Sequence, residues 1–176
     1  MLKGVLGPCS IIRVQTWDID ALAPSSVTEV LGGAWPQKTG TVASGGVDTI
    51  CVGPTDWLVL AADLDPIPLL RRLDALFQGG NFRTTNVSQA LIRVQVEGPE
   101  VRDLLAKGCA LDLYPQRFPP GCSSRTRFAD MSVIVRCMRQ SAFECIVALS
   151  HADYFLSWLG DAALEFCERP RVGGAE

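Results

Sequence analysis

Lys107, Cys109 and Asp112 stand close together in the stretch "GPEVRDLLAKGCALDLYP" (98–115). A thiol near a cation and a carboxylate is the raw material of a nucleophilic site, because nearby positive charge favours the thiolate. The same stretch also carries the punctuation of a short helix. Gly98 and Pro99 open it, Val101, Leu104 and Leu105 share one face, and Gly108 stops it. On that reading Lys107 answers the negative end of the helix, Asp112 holds the following loop, and Cys109 performs no chemistry.

Other candidates for chemistry are sparse. His151 is the single histidine and falls at the start of the last helix. A helix N-terminus disfavours the imidazolium, so a neutral His151 could act as a base. No serine elbow, second histidine or metal-spaced ligand set accompanies it, and zinc held by Cys109, Cys122 and His151 would need an unusual spacing. The seven cysteines at 9, 51, 109, 122, 137, 145 and 167 form no Cys-x-x-Cys pair. Most sit in apolar runs such as "DTICVG" and "FECIVAL", as buried free thiols do. "GGVDTICVG" has neither a Walker lysine nor GxGxxG spacing, and "GPTDW" reads as a turn that carries Trp57 into a core strand. No residue is therefore assigned a catalytic, cofactor-binding or metal-binding role. The pattern suits a binding or assembly module.

Bulk properties narrow the choice. With 176 residues and 48% hydrophobic content the chain can fill one sizeable core or two small fused ones. Its net charge of -3 and pI near 5.2 disfavour general nucleic-acid binding. Arg125, Arg127, Arg136 and Arg139 have no interleaved aromatic residues, so they read as strand-face or partner-facing arginines. A mean hydropathy of +0.20 points to a buried interface. No apolar run approaches the roughly 18 residues of a membrane span. "MLKGVLGPCSII" lacks the long apolar region of a secretory signal, which leads us to expect a cytoplasmic location.

The elements occur twice in the same order. "IIRVQTW" alternates as a half-buried strand, and "PSSVTEVLGG" is a short helix with Pro24 near its start and Val27, Val30 and Leu31 on one face. Strands follow at "VDTICVG" and "DWLVLAA", joined by a turn at 53–56. "DPIPLLRRLDALFQGG" is an amphipathic helix capped by Asp65, with a stripe of Leu69, Leu70, Leu73, Leu76 and Phe77. The second round runs through "ALIRVQVEG", "PEVRDLLAKG", a hairpin of "MSVIVRC" and "FECIVALS", and the helix "SHADYFLSWLGDAALEF". Ser150 and Asp153 imitate a capping box there, and Phe155, Trp158, Leu159, Ala162 and Phe166 form the buried face. "IIRVQ" is echoed by "LIRVQ". Strand-helix-strand-strand-helix repeated at an offset of about 80 to 88 residues predicts an α+β fold, antiparallel sheets with helices on one side. The expected units are a first half over 1–80 and a second over 87–167, in one compact body. The segment "QGGNFRTTN" (78–86) is a joining loop, and 168–176 is a flexible tail.

Several strings now combine: "VGPTDWLVLA" (52–61), "VEGPEVRDLLAKGCALDLYPQRFPPG" (96–121), "SSRTRF" (123–128) and "FECIVALSHADYFLSWLGDAAL" (143–164). In that order they resemble the gamma subunit of heterotetrameric sarcosine oxidase, over about 50–165. That family is similar to the folate-binding domains of the glycine cleavage system T-protein, which implies two ferredoxin-like halves. The resemblance further implies a cytoplasmic complex that oxidises sarcosine to glycine with one-carbon transfer to tetrahydrofolate. In such a complex the alpha subunit carries NAD and the tetrahydrofolate domain, FAD and FMN lie in or beside beta, and delta holds zinc. The gamma subunit would carry no cofactor and dock mainly against alpha. The T-protein's catalytic and pterin-contacting residues find no motif here. Folate-binding proteins that assist iron-sulfur enzymes share Lys-Gly-Cys, but with an aromatic and Gly-Gln-Glu after it, where this chain has Ala-Leu-Asp. Three alternatives stay open: a stand-alone folate-binding one-carbon transfer protein, a subunit of a dimethylglycine or related N-methyl amine oxidase, and a structural module of unknown partner.

Overall fold

Alternation of apolar and polar residues gives each strand two usable faces, and this chain buries both. The computed structural model describes residues 2–5, 9–18, 25–62 and 65–167. In chain order the elements are β1 (Leu2–Val5), β2 (Ser10–Thr16), α1 (Val27–Leu31), β3 (Val42–Ala43), β4 (Asp48–Gly53), β5 (Asp56–Ala61) and α2 (Pro66–Phe77). Then come β6 (Phe82–Asn86), β7 (Leu91–Glu97), α3 (Val101–Ala106), β8 (Ser123–Phe128), β9 (Met131–Arg139), β10 (Ala142–Ala148) and α4 (Ala152–Cys167). The strands build two five-stranded sheets, ordered β3-β4-β5-β2-β6 and β1-β7-β10-β9-β8. Every described pairing is antiparallel.

Helices cover one face of each sheet. Leu69, Leu73 and Phe77 of α2, with Val27 and Leu31 of α1, pack on Ile12, Val14, Cys51, Trp57 and Val59. In the second sheet α3 and α4 set Leu104, Leu105, Phe155 and Leu159 against Val94, Val96, Val133, Val135 and Cys145. The opposite faces meet each other, where Ile11, Ile50, Leu58 and Leu60 of the first sheet pack on Ile134 and Ile146 of the second. Main-chain bonds stitch the two sheets at one margin: Val42 N–H donates to Gly121 at 3.0 Å, and Ser123 N–H to Gly40 at 2.7 Å. The result is an α+β fold with helices outside and sheets face to face. No described helix is long and apolar enough to cross a membrane.

Local signals explain most element boundaries. Asp65 caps α2 by accepting from the N–H of Ile67 at 3.0 Å. Gly32 ends α1 in the left-handed region at φ 69°, and its N–H donates to Thr28. Main chain lies directly against main chain here, since a Cβ on Gly45 would come within 2.2 Å of the Gly32 carbonyl. Close backbone approach is thus the use of the first half's Gly-rich stretch.

Four local expectations change. The 78–86 segment is not all loop, because Phe82–Asn86 pairs along β2 as β6. It escapes a hydrophobicity reading because only Phe82 and Thr84 are half-buried, and main-chain pairing holds the rest of this edge strand. Ser150 lies inside a 3₁₀ turn (Leu149–His151) that runs directly into helical backbone at Ala152, so a tighter turn replaces the expected capping box. The N-terminal segment supplies β1, which joins the edge of the second sheet with Leu2 opposite Val96. Gly108 follows α3 without needing a left-handed conformation; its role is space. A Cβ there would fall 2.3 Å from the ring of Phe128, which itself packs edge-on against Phe155 and Trp158. Pro24 and the 168–176 tail lie outside the described residues.

Gly108→Ala forces this aromatic cluster apart. We expect a loss of about 1–3 kcal/mol in unfolding free energy, the usual scale of overpacking, measured by urea denaturation. Ala106→Gly, on the exposed side of α3, should cost no more than about 1 kcal/mol.

Candidate functional site

Charged side chains enter the layer between the sheets because they occupy strand positions that alternate with core residues. Arg13 on β2 lies opposite Leu58 of β5, and Asp56 stands two residues before Leu58. Arg93 on β7 lies opposite Ile146 of β10, and Glu144 stands two residues before Ile146. The repeat heard in "IIRVQ" and "LIRVQ" is therefore a repeat of an arginine–carboxylate pair with the same register. Arg13 donates to Asp56 through Nε at 2.8 Å and Nη2 at 2.6 Å, a two-point clamp. Arg93 Nε donates to Glu144 at 2.6 Å, and Glu144 is fully buried.

A second arginine joins each pair. Arg136 on β9 donates to Asp48 on β4 at 2.8 Å, which ties the two sheets together, and reaches Glu144 at 3.5 Å. Arg125 on β8 donates to Asp56 at 3.2 Å, a second tie between the sheets. Burial raises the Asp48 pKa, but the hydrogen bonds of Arg136 and Ser44 and the charges of Arg136 and Arg93 outweigh it, leaving Asp48 below its ordinary range. Hydrogen bonding by Asp56 raises Arg13, against the opposing pull of burial. For Arg93 burial lowers the pKa, and the Glu144 charge with the hydrogen bonds Arg93 donates to Cys9 and Glu144 raises it on balance. Beside Arg13 and Arg125 a cleft of about 390 Å³ opens between the sheets, walled by Leu58, Val87, Leu91, Ile134 and Ile146. Chemically this arrangement holds and orients anions.

The stretch that suggested a nucleophile does mechanical work. Lys107 Nζ donates to the Ala162 carbonyl at 3.1 Å, pairs with Glu165 and lies 4.6 Å from the Phe166 ring centroid, fastening α3 to α4. Burial pushes the Cys109 thiol up, against a hydrogen bond from Leu111, so a reactive thiolate is disfavoured there. Asp112 accepts from Tyr114 N–H at 3.1 Å and shapes the loop. Arg102, which the sequence left unmarked, is the true fastener of this loop. It donates to the carbonyls of Leu113, Phe118 (3.2 Å) and Gln140 (3.1 Å), and its guanidinium lies 4.9 Å from the Phe143 centroid.

The remaining candidates are dispersed. His151 is exposed on its 3₁₀ turn. Trp57 is a core residue, 5.0 Å from Trp35 between ring centroids, and its indole N–H donates to Pro36 at 2.8 Å. Cys51, Cys109, Cys137 and Cys145 are buried, and burial raises each thiol. Of the four sequence-flagged arginines, Arg125 and Arg136 face the interlayer, Arg127 pairs with Asp130 in solvent, and Arg139 with Glu97. The partners Asp48, Asp56 and Glu144 went unmarked because a carboxylate inside an apolar strand gains meaning only once register is known.

A family model described as the sarcosine oxidase, gamma subunit family matches residues 17–165. Sarcosine oxidase subunit gamma from Corynebacterium sp. (strain P-1) is 24% identical over 148 residues, covering 83% of this chain and 72% of that protein. The subunit of the same name from Corynebacterium sp. (strain U-96) is 27% identical over 145 residues, 81% and 69% of the two chains. A chain in the structure of heterotetrameric sarcosine oxidase from Corynebacterium sp. U-96, in complex with pyrrole 2-carboxylate, superposes with a TM-score of 0.83 at 21% identity. It covers 94% of this chain and 85% of that one. The glycine cleavage system aminomethyltransferase T from Bartonella henselae shares the fold, with a TM-score of 0.60 at 12% identity over 88% of this chain and 44% of that one.

Removing one partner of a buried ion pair leaves a desolvated charge behind. Glu144→Met should lower unfolding free energy by about 3–5 kcal/mol, whereas Arg127→Met, at an exposed pair, should change it by less than about 1 kcal/mol in the same denaturation assay. Because Asp48 is depressed when folded, its share of stability is complete above the unfolded value of about 4 and is lost as pH falls through the lower folded value. Asp48→Asn should flatten that acid limb in thermal melts between pH 7 and 2. In the folded chain, maleimide should label half-buried Cys9 and Cys122 well before Cys51, Cys109, Cys137 and Cys145, as read by peptide mass spectrometry.

Proposed function

The chain belongs to the sarcosine oxidase gamma subunit family, and on that premise we propose that it serves a heterotetrameric sarcosine oxidase as a non-catalytic subunit. The observation that carries the reading is the family match across 17–165. The complex would act in the cytoplasm, demethylating sarcosine oxidatively to glycine and passing the one-carbon unit to tetrahydrofolate. FAD, FMN, NAD, zinc and tetrahydrofolate would be carried by the alpha, beta and delta subunits, and this chain would dock mainly on alpha.

Three features of the chain support that division of labour. Its buried carboxylates are paired to arginines, which spends them on holding the sheets. Its buried thiols are pushed away from the nucleophilic thiolate. Large side chains such as Trp17, Tyr114 and Tyr154 are left exposed, as suits a surface that meets other subunits.

Co-expression with candidate alpha, beta and delta chains should yield one particle with a flavin spectrum, and omission of this chain should lower its recovery at least tenfold. Failure of the chain to co-purify with flavin-bearing subunits overturns the reading. Turnover of the purified complex on sarcosine should exceed that on dimethylglycine. Titration of the isolated chain with tetrahydrofolate should give no saturable binding at micromolar concentration, and submicromolar binding would favour a stand-alone folate protein.

A further inference from the structure

The interlayer holds the same arginine–carboxylate motif twice, and among the described residues only one copy is electrically complete. Around Glu144 two guanidiniums, Arg93 and Arg136, meet two carboxylates, Glu144 and Asp48. Around Asp56 two guanidiniums, Arg13 and Arg125, share one carboxylate. Arg13 holds Asp56 with its two-point clamp, and Arg125 makes a single bond to it of 3.2 Å from a side chain 42% exposed. Its other donors have no partner among the described residues.

Space for the absent charge adjoins this arginine. The 390 Å³ cleft has Arg13 and Arg125 on its rim and Leu58, Ile134 and Ile146 along its wall. That volume suits a small organic molecule, and most of its lining is apolar, as in ligand sites generally. We propose that the cleft binds a monocarboxylate with a small apolar body. The carboxylate accepts from the open fork of Arg125, taking the place that Asp48 holds beside Arg136, while the body lies against Leu58, Ile134 and Ile146. One negative charge balances the excess of one. A dianion would exceed the single charge to be balanced, and a neutral amide would form weaker bonds with the guanidinium. The carboxylate can come from a free acid or from an acidic side chain of a neighbouring subunit. The proposal goes beyond subunit assignment and does not rest on it.

The test is methyl NMR on the full chain with benzoate as probe and benzamide as its uncharged control. Benzoate should shift the Ile134 and Ile146 methyls saturably, with at least tenfold tighter binding than benzamide. Arg125→Met should weaken benzoate at least tenfold, and Ala148→Leu, which fills the lined end of the cleft, should weaken it at unchanged charge. No saturable shift of these methyls, or equal affinity for benzoate and benzamide, overturns the proposal without any variant. Unchanged affinity in a folded Arg125→Met chain overturns it as well. In the assembled complex, retained benzoate binding identifies a free acid as the source. Loss of benzoate binding on assembly, together with tenfold weaker assembly of Arg125→Met, identifies a neighbouring subunit's carboxylate.

Discussion

A guanidinium between two sheets must meet a carboxylate, because the cost of stripping water from an unpaired charge exceeds what the surrounding packing returns. That constraint organises this chain. Arg13, Arg93, Arg125 and Arg136 all point into the layer where Ile11, Ile50, Leu58, Ile134 and Ile146 would otherwise make an ordinary hydrophobic seam. Apolar contacts alone tolerate sliding of one sheet over the other. The Asp48–Arg136 and Asp56–Arg125 bonds set where the sheets stop, because each has partners on opposite sides. Specificity of alignment, more than net stabilisation, is what such pairs supply.

Much of the fold was legible because its punctuation is local. The Asp65 cap, the Gly32 stop and the α2 stripe follow from nearest-neighbour chemistry, and the order of elements repeats visibly. What escaped depends on partners far away in the chain. Phe82–Asn86 is a strand only because β2 offers it a free edge, and its own side chains are too polar to announce it. Gly108 looks like a helix stop, yet its requirement is set by Phe128, twenty positions further on. The charged layer was half visible. The echo of "IIRVQ" in "LIRVQ" marked a repeat that contains Arg13 and Arg93, but their role, and Asp56 and Glu144 as their partners, emerge only through the register of β5 and β10. Lys107, Cys109 and Asp112 have the types of a site, but the helix punctuation around them already read as a packing joint, and bonding places Lys107 between α3 and α4 and Asp112 in the loop.

Function and architecture connect through what the chain does with its polar groups. Arg102 gathers the loop carbonyls of Leu113 and Phe118, and Arg93 clamps a fully buried glutamate. Such saturation makes a rigid body that can be presented to other subunits without rearrangement. Among the arginines of the interlayer Arg125 departs from this pattern, and it does so where the two sheets part.

The pairing of β1 with β7 has a consequence for how the molecule is made. Leu2 finds its place opposite Val96, so β1 cannot settle until the chain has grown through most of β7. The sheet of β2 to β6 lies wholly within the residues between them and can close first. The second sheet then condenses around β7, which sits between β1 and β10. Vectorial synthesis therefore requires a long-range closure, in which β1 waits for a strand made after the whole of the first sheet.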